Sequence, residues 1–177
     1  MKKVIYILGQ LSDEDVEWMT SQSRKLSLAS GETIVKEGGQ SQDIYFVIDG
    51  EVAIETGSKA VRLATLGTGE ILGEMSLVDS RPASASVITL IPTKLMALSK
   101  EKIHAKLASD TGFAARFYKA IALFLSERMR GTVAQLGYGT SKNDLTESDP
   151  DELEGEVLEH AFLAGARFDR MIKSMRD

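Results

Sequence analysis

Between Leu66 and Val87 the chain reads LGTGEILGEMSLVDSRPASASV, which has two features unusual for a connection between strands. Gly73-Glu74 opens a run of good helix formers barely one turn long, and a polar, small-residue stretch follows it. A one-turn helix leaving a glycine presents unpaired backbone N–H groups, which hold an anion without a side-chain cation. A carboxylate at Glu74 accepts hydrogen bonds from a neutral diol such as a sugar and fixes its orientation. The same residues also suit a simple barrel corner with a solvated glutamate.

Other chemistry is scarce. The 177 residues include no Cys, so disulfide frameworks, thiol nucleophiles, zinc fingers and iron–sulfur sites are excluded. His104 and His160 are the only imidazoles, which leaves no histidine cluster for a cupin-type metal centre, and no Ser-His-Asp order stands out. No catalytic residues and no metal ligands are assigned, and no enzyme activity is expected. The formal net charge is −5, with 17 Lys+Arg and 16 Asp+Glu in residues 1–143 but 4 and 10 in residues 144–177. A nearly neutral body with an acidic tail argues against a nucleic-acid reader, which normally carries a basic stripe. In the opening MKKVIYILGQL, Gln10, Ser12, Asp13 and Glu14 interrupt the apolar run before signal-peptide or membrane-span length, so a cytoplasmic protein with no membrane partner is expected.

The elements that must position Glu74 follow from periodicity. Ser12 before three acids, with Val16 and Met19 on one side, predicts a short helix over 12–22. From Leu26 to Leu98, short runs rich in Ile, Val, Leu and Thr alternate with glycines, and the stretches 44–48 and 87–91 read as buried strands. The helical period returns at Lys100, and residues 112–136 predict a long helix buried on two sides, stopped by Gly137-Tyr138-Gly139. An acidic linker over 137–150 leads to a last helix over 151–177, capped near Ser148, with Gly165 the point where it would break. Its stripe of Leu153, Val157, Ala161, Ala164, Phe168, Met171 and Met175 fits docking on its own domain or on a partner. The fold class is therefore α+β: a β-barrel or jelly roll of about eight short antiparallel strands, flanked by an N-terminal helix and C-terminal helices.

Residues 66–87 resemble the phosphate-binding cassette of the cyclic nucleotide-binding domain family, a Gly-Glu, a few apolar residues, then Pro-Arg-Ala/Ser-Ala and a Val. Gly31, Gly50, Gly67 and Gly69 fall where that family has glycines, and the resemblance extends over residues 10–136. It implies a small bacterial-type member with ligand-binding residues Gly73, Glu74, Met75, Ser76, Arg81, Ala83, Ser84 and Ala85. By resemblance, Glu74 takes the ribose 2′-hydroxyl, and the amides of Met75 and Ser84 approach the cyclic phosphate. The cassette is degenerate at one place: the family's phosphate-pairing arginine falls at Ala83, which offers no charge-assisted bond. Arg81, two residues earlier, would face the same side if the segment were extended.

Two functions are expected from this reading. The first is a non-catalytic sensor module whose pocket weakly binds a cyclic nucleotide or related nucleotide and shifts the long helix; no other cofactor is implied. The second is a ligand-free scaffold that works through the long helix, as a homodimer, and through the acidic tail, with an unknown protein partner.

Overall fold

The computed structural model describes residues 4–135 and 155–174. Two short helices open the chain, α1 (Val4–Leu8) and α2 (Asp13–Gln22). Eight strands follow: β1 (Arg24–Leu28), β2 (Thr33–Val35), β3 (Asp43–Asp49), β4 (Glu51–Thr56), β5 (Val61–Gly67), β6 (Ile71–Leu72), β7 (Ser86–Thr89) and β8 (Thr93–Ser99), with the one-turn helix α3 (Met75–Val78) between β6 and β7. Three helices close it, α4 (Lys100–Ser109), α5 (Thr111–Gln135) and α6 (Gly155–Ser174).

The strands form two antiparallel four-stranded sheets, ordered β1-β8-β3-β6 and β2-β7-β4-β5. They pack as a jelly roll and do not close into a barrel. Side chains alternate along β3, so Tyr45 and Val47 join the core between the sheets while Ile44, Phe46 and Ile48 face the helices. Leu95 and Ala97 of β8 likewise point inward, and Met96 and Leu98 outward. Burial on both faces explains the unbroken apolar run over residues 44–48. The run over 87–91 is shorter than expected: β7 ends at Thr89, and Ile91 is exposed in the turn into β8.

Phe113, Phe117 and Phe124 of α5 are fully buried in the cluster outside this sheet, where α5 packs on α1 and α4. The opposite side of the helix leaves Tyr118, Met129 and Val133 exposed. The expected stop at 137–139 lies outside the described residues.

Ser12 and Asp15 form a capping box at the start of α2. Asp15 also accepts two bonds from Arg116 of α5, at 2.6 and 2.9 Å, which ties the N-terminal helix to the long one. Burial opposes charge on Asp15, but Arg116 and Ser12 prevail and hold its carboxyl below the usual carboxylate range. Because the folded pKa lies below the unfolded value near 3.8, this stabilisation is present above about pH 4 and lost as pH falls further. Asp15→Asn should cost about 1–3 kcal/mol at pH 7 and much less near pH 3, as read from thermal melts at both pH values.

α6 is continuous through Gly165. Ala164, Phe168 and Met171 are buried on α1 and α2, while Leu153, Met175 and the cap near Ser148 lie outside the described residues. Arg167 donates to the Leu8 carbonyl at 2.8 Å and to Asp13 at 2.6 Å, and Arg170 adds a bond to Asp13. The described part of its stripe, Ala164, Phe168 and Met171, docks within the chain, while Phe162 of the same helix is exposed. None of the described helices is long and apolar enough to cross a membrane.

Candidate functional site

The cassette begins where β6 ends. Gly73 has φ +81, and a Cβ there would stand 2.9 Å from the Asp43 carbonyl oxygen, so glycine is required on both counts. This close approach brings Glu74 and α3 against the start of β3. Glu74 is the N-cap residue of α3, but its side chain makes no capping bond. It turns inward instead, with a side chain 3% exposed, and pairs with Arg128 of α5. The Arg128 guanidinium also stacks over Phe124, 5.5 Å from the ring centroid.

Lys100, the first residue of α4, lies beneath α3. Its buried ammonium donates to the Ser41 carbonyl at 2.8 Å and to the Ser76 hydroxyl. Burial pushes Lys100 below an ordinary lysine, against the attraction of Glu74 and Asp43. Ser76 in turn donates to the Gly73 carbonyl. Lys100 therefore joins the cassette helix to the root of the C-terminal helices, and Arg128 joins the cassette carboxylate to their far end.

The second half of the cassette is held by backbone. Ala83 donates to the Gly39 carbonyl at 2.9 Å and accepts from the Gly38 amide at 2.8 Å, and its methyl packs against the core between the sheets. Ser84 is exposed and Ala85 half-buried, while the Ser86 hydroxyl is taken up by the Glu37 amide at 3.0 Å. Met75 lies on the exposed side of α3. Arg81 does not join this group: its side chain is 82% exposed and meets Asp79 at 3.6 Å. The premise of an extended segment fails, because Ser80 has φ +56 and the Arg81 amide bonds to the Asp79 carboxylate, which bends the chain before Pro82. Among the described residues no group of His, Asp or Glu could hold a metal ion.

Residues 25–110 match the family model described as the cyclic nucleotide-binding domain. These residues belong to that family. The cyclic AMP receptor protein of Thermus thermophilus is 35% identical over 94 residues, which are 51% of this chain and 44% of that protein. The chain spans less than half the length of the first curated relatives it matches. Among solved structures, a cyclic nucleotide-binding domain from Methylobacillus flagellatus superposes with a TM-score of 0.67 at 23% identity, covering 76% of this chain and 80% of that one. The catabolite activator protein of Thermus thermophilus does so with a TM-score of 0.60 at 30% identity, covering 72% and 59%.

Sequence reading missed two residues of the cluster around Glu74, Lys100 and Arg128. Arg128 is one of several charges on a long apolar helix, and nothing in its neighbourhood distinguishes it from Arg116 or Arg130. Lys100 carried a weak signal, as a lysine immediately after the buried strand β8.

Proposed function

We propose that the chain is a non-catalytic regulatory module whose cassette takes a cyclic nucleotide or a related nucleotide and whose long helix reports its arrival. The observation that carries this reading is the bond between Glu74 and Arg128, which makes one carboxylate both the candidate diol acceptor and the anchor of α5. A ligand hydroxyl on Glu74 competes with Arg128 for the same oxygens, so occupancy biases where α5 rests. The strength of the response is set by the difference in ligand affinity between the two positions of the helix. In this reading the pocket is built by Gly73, Glu74, Met75, Ser76, Ser84 and Ala85, with the amides of Met75 and Ser84 toward the phosphate. Residues 1–136 act as one binding unit, 137–150 as a connection, and 151–177 as a separate segment whose helix α6 folds back onto the unit.

Titrating the purified chain with cAMP, cGMP and cyclic dinucleotides by calorimetry tests this. Saturable binding of one of them is expected; no binding at millimolar concentration rejects the reading for these ligands. A second reading, a scaffold without ligand, is favoured by Ala83. Ala164, Phe168 and Met171 of α6 are packed within the chain, and an exposed apolar surface open to such a scaffold is the side of α5 around Tyr118, Met129 and Val133, where we place a homodimer contact. Light scattering should then show a dimer at micromolar concentration, and a monomer throughout that range removes it.

A further inference from the structure

We propose that Arg128, on the long helix, is the residue that reads the ligand's negative charge in this pocket, in place of the cassette arginine that Ala83 lacks. This rests on the reading of the site as a nucleotide pocket.

Arg81 extends into solvent, with its side chain 82% exposed and Asp79 3.6 Å away. Lys100 is buried beneath α3, with its ammonium bonded to the Ser41 carbonyl and the Ser76 hydroxyl, and so serves the protein itself. Arg128 differs from both: its side chain is 28% exposed, it stacks on Phe124, and it places Nη1 on Glu74. A guanidinium has five N–H donors in a rigid fork, so the bond to Glu74 leaves others for a second acceptor. Glu74 also feels the charge of Lys100, so its single negative charge faces two basic groups and the site keeps a positive surplus. Asp43, the other carboxylate facing Lys100, is spent on Arg24 at 2.7 Å. A bound anion is therefore satisfied by Arg128 without stripping Glu74 of all cationic support.

This placement changes what the pocket discriminates. An arginine within the cassette would favour anions wherever α5 rests. An arginine on α5 favours an anion only while the helix is close, so anionic ligands hold the helix in and a neutral nucleoside offering the same diol does not.

The test compares cAMP with adenosine, which presents a ribose diol without phosphate, on wild type, Arg128→Gln and Arg128→Lys. Arg128→Gln should weaken cAMP about 10–100-fold, whereas adenosine should bind no more weakly than to wild type, because its diol no longer competes with Arg128 for Glu74. Arg128→Lys keeps a positive charge for Glu74 and guards against a folding failure; it should weaken cAMP about 3–10-fold, with adenosine unchanged. Unchanged cAMP affinity in both variants, or equal losses for cAMP and adenosine, overturns the proposal while leaving the nucleotide pocket intact. A wild type that binds neither compound at millimolar concentration overturns the pocket reading itself, and this inference with it.

Discussion

Ala83→Arg should raise the affinity for a cyclic nucleotide by about 10–100-fold, the worth of a charge-assisted arginine–phosphate contact of roughly 1.5–3 kcal/mol. The backbone is already fixed for it, because Ala83 is pinned on both sides by the Gly38–Gly39 turn and only its side chain has to change. The new side chain must leave the apolar packing that the methyl now makes between the sheets, so some of the gain is lost to stability. Calorimetry on wild type and variant with the same ligand measures the ratio. A variant that folds and binds no better than wild type shows a pocket shaped for something other than a cyclic phosphate.

The second large effect is expected from Glu74→Gln. The amide still accepts a hydrogen bond but removes the charge, so a ligand diol loses a charge-assisted contact and affinity falls about 10–100-fold. Arg128 simultaneously loses its ionic partner. Because that guanidinium keeps some contact with water, the cost is less than that of a fully buried pair, about 2 kcal/mol, or roughly 4–8 °C in melting temperature. Both readouts should move together, and a loss of binding with an unchanged melt would mean that the pair with Arg128 contributes nothing to the fold.

Much of the architecture was legible because it is local. The apolar run over 44–48, the capping box at Ser12 and Asp15, and the aromatic spacing along α5 each depend on residues within a turn or a strand of one another. Helix α1 was not legible, since the five residues VIYIL are too few to distinguish a helical period from a strand. The cassette's geometry was readable at Gly73 and Glu74, where glycine and the start of a helix leave a pattern. Arg81 misled because alternation holds only in extended backbone, and Asp79 bends the segment by capturing the amide of Arg81. The partner of Glu74 lies 54 residues away on a helix whose rotation is set by its buried phenylalanines, and no short-range pattern records that rotation.

The return of α6 to α1 and α2 bears on how the chain matures. Its contact between Arg167 and the Leu8 carbonyl spans 159 residues, and that with Asp13 spans 154. While the chain is being synthesised, the apolar side of α1 that receives Phe168 waits for almost all the rest of the sequence. Contacts so distant in sequence form late, because the closure entropy must be met before they contribute. The jelly roll and α5 can assemble first, leaving Leu8 and its neighbours uncovered until α6 emerges, and that interval is when the nascent chain is most exposed to chaperones and to its own copies.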